Sequence, residues 1–100
     1  GKIIWNAGMN GRAGLGDIKP YDLGYLVVVD MEGYREGDRA MGETETPDML
    51  DYWGPRDEDN WSIDFPIGAQ ILVSGGHFYA VKYERNSVDV QDLSKIPRKK

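Results

Sequence analysis

One histidine and one nearby serine are the residues whose types could support nucleophilic catalysis. His77 and Ser74 stand on either side of Gly75-Gly76. A serine nucleophile needs an imidazole in contact and a third group that orients the ring, whereas residues flanking a two-residue turn point to different faces or pair across the ladder. The chain has no cysteine that could replace the serine. We therefore expect His77 to be a structural residue, and we predict that the protein is not an enzyme.

Two further patterns begin like ligand-binding motifs and do not complete them. Asp57-Glu58-Asp59 starts like a calcium loop, but Ser62 stands where such a loop turns on glycine and Gly68 where it needs glutamate. The glycine-rich stretch from Gly8 to Gly16 follows a predicted strand, yet its spacing fits neither phosphate-binding pattern. We therefore expect no metal site and no cofactor.

Acidic side chains are concentrated in the middle of the chain. The 100 residues include 17 acidic and 12 basic ones, for a net charge of −5. Residues 30–64 hold twelve of the acidic and three of the basic residues, so this segment alone carries −9. Charge that serves only solubility works equally well when spread over the surface, whereas a segregated acidic face attracts basic surfaces and repels nucleic acid.

Aromatic residues accompany the acidic ones in this segment. Tryptophan and tyrosine provide large contact areas at low entropic cost and dominate interface hot spots, but the same rings also dock segments onto a core. Both interpretations stay open for individual rings. The candidate partner-binding residues are Glu43, Glu45, Asp48, Asp51, Tyr52, Trp53, Asp57, Glu58, Asp59 and Trp61.

These features predict a non-enzymatic protein-binding module whose acidic segment engages a basic surface of another protein. One form of such a module is an inhibitor of a nucleic-acid-binding protein, a DNA mimic whose carboxylates replace phosphates that occur about every 1.7 Å along duplex DNA. We expect no direct contact with nucleic acid. Two alternatives remain open: a small-ligand or carbohydrate-binding domain that stacks on tryptophan and tyrosine, and a small enzyme that uses aspartate and glutamate.

Short strands account for most of the predicted elements that position these residues. Gly75-Gly76 suits a tight hairpin because glycine accepts positive φ. A single short helix is predicted over residues 47–53, since Thr46 suits an N-cap and Gly54-Pro55 ends the run. The predicted strands are Lys2–Trp5, Gly24–Asp30, Gln70–Ser74, His77–Tyr83 and Val88–Val90.

The order of these elements predicts a single, mainly β domain. The stretch from Pro66 to Pro97 resembles the closing strands of SH3-like barrels, a resemblance of fold that implies no functional residue. We predict a small curved antiparallel sheet or an SH3-like barrel with one short helix and a long acidic insertion. Residues 1–30 would supply strands and the glycine-rich loop, residues 31–67 the insertion, and residues 68–97 the closing hairpin and edge strand.

Composition also bounds where the protein acts. The chain has no cysteine, which favours the cytoplasm, and its longest apolar run, from Leu26 to Val29, is far too short for a membrane span. We therefore expect a soluble, cytoplasmic protein without membrane association. The oligomeric state is left open by the sequence.

Overall fold

A computed structural model of the chain describes residues 14–98, and the strand predicted at Lys2–Trp5 lies outside them. The described chain is mainly β, as predicted, and contains one α-helix. The elements in chain order are β1 (Gly14–Tyr21), β2 (Gly24–Asp30), α1 (Glu32–Ala40), β3 (Asp48–Trp53), a 3₁₀ turn (Asp57–Asp59), β4 (Trp61–Phe65), β5 (Gln70–Ser74), β6 (His77–Tyr83) and β7 (Val88–Asp92).

The strands form two antiparallel sheets, each a simple meander. One has the order β1-β2-β3-β4 and the other the order β5-β6-β7. Within residues 14–98 the two sheets do not join into a closed barrel, so the barrel form of the prediction is wrong for the described chain. The closer likeness to SH3-like folds stays a prediction.

The main core lies between the two sheets and takes alternate residues from β2, β3, β4, β5 and β6. Leu26 and Val28 of β2 point into it, whereas Val27 and Val29 point to the opposite side, where Met31 and Tyr34 at the start of α1 cover them. This explains why β2 is a continuous apolar run, since both of its faces are buried. The sheet β1-β2-β3-β4 therefore has α1 on one side and the sheet β5-β6-β7 on the other.

The helix predicted over residues 47–53 is wrong, because these residues form β3. Asp48, Leu50 and Tyr52 are buried while the residues between them are half-buried, which is the period of two typical of a strand and incompatible with a helix. The Thr46 hydroxyl bonds to the Asp38 carboxylate and does not cap a helix. The short-range capping signals were real but the longer-range strand pairing decided the conformation.

Helix α1, the one helix between residues 14 and 98, lies where no helix was predicted. Gly33 and Gly37 lower the intrinsic helix propensity of this segment, so its local sequence does not predict a helix. Its stability comes from tertiary contacts, above all from the buried Arg35. Residues 31–67 thus supply α1, β3 and β4, so the acidic segment is part of the fold and the term insertion does not describe it.

The hairpin turn at Gly75-Gly76 is present as predicted, with φ angles of 59° and 79°. Both residues occupy the left-handed region, where a side chain is disfavoured by roughly 1–2 kcal/mol. We expect the double variant Gly75→Ala/Gly76→Ala to lose more than about 1 kcal/mol of unfolding free energy in urea melts. Leu72→Ala, a substitution at an exposed position of β5, is the control for general damage to that strand. A double variant with an unchanged unfolding free energy would contradict the turn assignment.

Other predictions have mixed outcomes. The strands at Gly24–Asp30, Gln70–Ser74 and His77–Tyr83 are confirmed, and β7 is an edge strand as expected. Of the predicted glycine-rich loop, residues 14–16 belong to β1 and the remainder lies outside the described residues. Between residues 14 and 98 no helix is long and apolar enough to cross a membrane.

Candidate partner-binding surface

The predicted partner-binding residues do not share one surface, because β3 separates them. Glu43 and Glu45 precede its first residue, and the 3₁₀ turn at 57–59 follows its last. A strand of this length spans roughly 17 Å at about 3.3 Å per residue. The acidic segment therefore has two parts, here called the helix end (residues 30–48) and the turn end (the 3₁₀ turn and its neighbours).

At the helix end, the buried Arg35 contacts three of the seven carboxylates. Arg35 donates from Nη1 to Asp48 Oδ1 at 2.8 Å and to the Thr46 carbonyl at 2.9 Å, and from Nε to Glu32 Oε1 at 3.0 Å. Its Nη2 lies 3.4 Å from Asp30 Oδ1. Burial opposes the charged guanidinium, but the hydrogen bonds to Asp48 and Glu32 outweigh it and raise the pKa of Arg35. Asp48, predicted as a binding residue, is buried in this network and unavailable to a partner.

A second layer of contacts ties the loop between α1 and β3 to the helix. Arg39 donates to Glu32 Oε2 at 2.6 Å and lies 3.4 Å from Glu45 Oε2. The hydrogen bonds from Arg39 and then Arg35 lower the pKa of Glu32, and those from Thr46 lower the pKa of Asp38. Carboxylates with lowered pKa values are held ionised by contacts inside the fold. These contacts hold α1 and the loop that follows it against the sheet.

The turn end presents its carboxylates outward. Asp57 and Glu58 are exposed, while Asp59 is half-buried and accepts from the Arg56 backbone N–H at 3.3 Å and from Arg56 Nη2 at 3.0 Å. These contacts cap the 3₁₀ turn from both sides. Asn60 closes it by accepting from the Gly54 N–H at 2.8 Å. Arg56 Nη1 also lies 3.1 Å from Glu58 Oε2, so Glu58 is exposed but paired with Arg56.

The turn between β1 and β2 adds another carboxylate to this end. Asp22 has a φ of 53° and forms the turn with Leu23. Burial raises the pKa of the Tyr52 hydroxyl, and the nearby charges of Asp22 and Asp59 raise it further. Gly24, two residues after Asp22, lies against Trp53 and Gly54, and Gly54 lies against Asp59, so the β1-β2 turn and the 3₁₀ turn are at the same end of the sheet.

Apolar side chains stand next to these carboxylates. Leu23 is 81% exposed and Tyr25 is 53% exposed. Tyr25 pairs directly across the ladder with half-buried Trp53, so the two rings share the face of the sheet that lies away from the core. Large exposed apolar residues grouped beside charge are typical of interaction surfaces. We call this group the turn surface, and it consists of Asp22, Leu23, Tyr25, Trp53, Asp57 and Glu58.

Asp51 lies on the same face as Trp53 and in the same strand. Burial raises the pKa of the Asp51 carboxyl, and a hydrogen bond from the Trp53 side chain partly offsets that effect. The pair links the Trp53 ring to the middle of the sheet. Asp51 is therefore a neighbour of the turn surface that fixes the orientation of Trp53.

Two predicted aromatic anchors, Tyr52 and Trp61, belong to the core instead. The Tyr52 and Trp61 rings stack with centroids 5.5 Å apart, and Trp61 stacks on Phe78 at 5.6 Å. The Arg98 guanidinium carbon lies over the Trp61 ring, 4.5 Å from its centroid, in a cation–π contact. Their side chains face the second sheet, so neither ring can serve as an exposed anchor.

Sequence reasoning missed Asp22, Leu23 and Tyr25. The signal for them was the short Asp22-Leu23 connection between two strands, which forces β1 and β2 to pair, but the sequence analysis did not identify β1. Without that hairpin, no pattern places the turn beside Trp53.

Among residues 14–98 no group of three or more histidine, cysteine, aspartate or glutamate residues could hold a metal ion.

Comparison of the chain with protein-family models, with curated proteins and with solved structures found no match.

Proposed function

We propose that the protein is a non-enzymatic binding module that engages a basic surface of a partner protein through the turn surface. The observation that supports this proposal is the juxtaposition of outward carboxylates with exposed Leu23 and Tyr25 at one end of the fold. Ion pairs occur at both ends: four of the seven carboxylates of the helix end contact Arg35 or Arg39, and Glu58 and Asp59 of the turn end contact Arg56. The turn surface is the place where charge and apolar contact area occur together.

The two kinds of side chain have different tasks in such a complex. Asp22 and residues 56–59 carry four carboxylates and one guanidinium, which gives this end a local charge of −3. Charges of this kind accelerate encounter with an oppositely charged surface and act mainly on the association rate. Leu23, Tyr25 and Trp53 would lose solvent on contact, and buried aromatic residues at the centre of an interface slow dissociation.

A DNA-mimicking inhibitor is the specific form of this module that we propose. The turn surface would occupy the groove of a nucleic-acid-binding protein, with Asp22, Asp57 and Glu58 taking the places of phosphates. Duplex DNA of unrelated sequence should then compete with the protein for the partner, because both use the same basic surface. A partner that binds the protein and the duplex at the same time would restrict the proposal to a basic protein surface that does not bind DNA.

The direct test is affinity capture from a cell extract with three versions of the chain as bait. The turn variant Asp57→Lys/Glu58→Lys changes the charge of the turn surface. The control Glu36→Lys/Glu43→Lys makes the same charge change at exposed positions of the helix end. We expect a partner that the wild type and the control retain at low salt and that the turn variant does not.

The outcomes distinguish the alternatives. Equal loss in both variants would show that net charge alone governs binding and would contradict a defined turn surface. Retention that is indifferent to molar salt would favour a small-ligand or carbohydrate-binding domain that stacks on Tyr25 and Trp53, since at that concentration the screening length is about 3 Å and attraction between exposed charges farther apart is largely lost. Both variants leave Arg56 and Asp59 in place, so the cap of the 3₁₀ turn is preserved.

A further inference from the structure

Asp51 is a half-buried carboxylate on the face of the β1-β2-β3-β4 sheet that lies away from the main core. Strand register places Val27 of β2 directly opposite it on one side and Ser62 of β4 on the other. Trp53 follows Asp51 on the same face of β3, and Tyr25 lies opposite Trp53. The neighbours of Asp51 on this face are therefore an aliphatic group, a hydroxyl and two aromatic rings, and none of these four is basic.

Among residues 14–98, no basic side chain forms an ion pair with the Asp51 carboxylate. Arg35, Arg39 and Arg56 all pair with other carboxylates. Burial raises the pKa of the Asp51 carboxyl, and the hydrogen bond from the Trp53 side chain offsets this only in part. That bond occupies one of the roughly four acceptor positions of an ionised carboxylate. Asp51 thus keeps acceptor capacity for a cationic donor, and its partial burial makes an uncompensated negative charge costly.

The same sheet face is covered at one end and open at the other. Helix α1 covers the end at Val29. At the opposite end Tyr25 is 53% exposed and Trp53 is half-buried. Asp51 lies between the two ends, roughly 7 Å from Trp53 along the strand. A ligand can therefore reach the Asp51 carboxylate past the two aromatic rings, from the side of the turn surface.

We propose that Asp51, Tyr25 and Trp53 form a binding site for an arginine side chain of the partner protein. The guanidinium would lie against an aromatic ring and donate from its edge to the Asp51 carboxylate. Arginine suits this site better than lysine, because its planar group stacks on aromatic rings and is more weakly hydrated than an ammonium group. The inference rests on the proposed function, since it names the side chain with which a basic partner would engage the sheet face beside the turn surface.

The probe for this site is blocked arginine, N-acetyl-arginine N-methylamide, added to the whole chain. The signal is the indole N–H of Trp53 in nitrogen-15 correlation spectra, assigned with a Trp53→Phe variant. We expect a saturable shift with a dissociation constant on the order of 10 mM, because one cation–π contact and one ion pair are each weak. Blocked citrulline has a neutral urea in place of the guanidinium, and it should bind at least about fivefold more weakly at the same ionic strength.

Three variants separate the site from general charge. Asp51→Asn removes the charge but keeps an oxygen that can accept from the Trp53 side chain, and it should weaken binding of blocked arginine at least about fivefold. Asp89→Asn makes the same change at an exposed position of β7 in the other sheet, and we expect unchanged binding. Tyr25→Leu, at an exposed position, should weaken binding about threefold and provides a second test of the site if Asp51→Asn is poorly folded. Circular dichroism checks the fold of each variant.

A Trp53 signal that does not move with blocked arginine up to about 100 mM would overturn the arginine site. Equal binding of blocked citrulline, undiminished binding by folded Asp51→Asn, or tighter binding of blocked lysine would overturn it as well.

Failure of the arginine site is distinguishable from failure of the proposed function. A wild-type chain that captures a salt-sensitive partner but does not bind blocked arginine contradicts the arginine site alone. A chain that binds blocked arginine at Asp51 but captures no partner contradicts the proposed function alone.

Discussion

Replacing Arg35 with methionine is expected to lower the unfolding free energy by about 3–5 kcal/mol, the cost of removing one partner from a buried ion pair. Methionine has nearly the length of the arginine stem but leaves Asp48 Oδ1 with only the Met31 N–H as a donor, at 3.0 Å. The Thr46 carbonyl and Glu32 Oε1 lose their Arg35 donors in the same step, while Glu32 Oε2 keeps its hydrogen bond from Arg39. A domain of this size is stable by roughly 5–15 kcal/mol, so the loss takes up a large fraction of the total.

Urea melts followed by circular dichroism measure this effect, and two variants control it. Arg39→Met removes an exposed arginine that also bonds to Glu32, and we expect a cost of about 1 kcal/mol or less. The double variant Arg35→Met/Asp48→Leu removes both charges and should regain part of the loss, because an apolar pair avoids the unpaired carboxylate. A cost for Arg35→Met no larger than that for Arg39→Met would contradict the structural role of the network.

Replacing Trp61 with alanine should act on stability and not on partner binding. The ring is stacked between Tyr52 and Phe78 and buried beneath Arg98, so its removal opens a large cavity. Loss of a buried tryptophan typically costs about 3–5 kcal/mol. Tyr25→Ala is the matched aromatic variant at an exposed position, and we expect it to change stability by less than about 1 kcal/mol while it accelerates dissociation of the partner.

Thermal or urea unfolding together with dissociation rates separates the two residues. If Trp61→Ala leaves the unfolding free energy nearly unchanged but abolishes partner binding, Trp61 belongs to the binding surface and not to the core. A Tyr25→Ala protein that is strongly destabilised would instead place Tyr25 in the core. The two variants thus test the division of the aromatic residues between core and surface.

The strands with strong local signals were predictable from the sequence. Gly75-Gly76 fixes the β5-β6 hairpin by itself, because few residues other than glycine accept its backbone angles. The continuous apolar run of β2 predicts a buried strand whichever strands pair with it. These elements need no knowledge of distant parts of the chain.

The elements decided by distant contacts were not predictable in the same way. Residues 47–53 have the capping signals of a helix, yet pairing of β3 with both β2 and β4 outweighs them. Helix α1 contains two glycines and depends on Arg35, whose partners Thr46 and Asp48 lie beyond the helix. A local reading of either segment therefore favours the wrong conformation.

The candidate site likewise contains residues that the local sequence indicates and residues that only distant contacts bring together. Asp57, Glu58 and Trp53 were found from composition, since charge and aromatic content can be counted along the chain. Asp22, Leu23 and Tyr25 join them only through the β1-β2 hairpin and its pairing with β3. Composition also grouped Asp48 and Trp61 with the binding residues, because a count of residue types carries no information about burial.

The association rate of the captured partner is the most direct measure of whether the turn surface recognises a basic protein. It should be determined by stopped flow or surface plasmon resonance, at several salt concentrations, for the wild type, Asp57→Lys/Glu58→Lys and Glu36→Lys/Glu43→Lys. We expect the turn variant to associate at least about tenfold more slowly than the helix-end variant at low salt, with the difference shrinking near molar salt as the screening length falls to about 3 Å. Association rates that are equal for the two variants, or indifferent to salt, would contradict recognition through the turn surface.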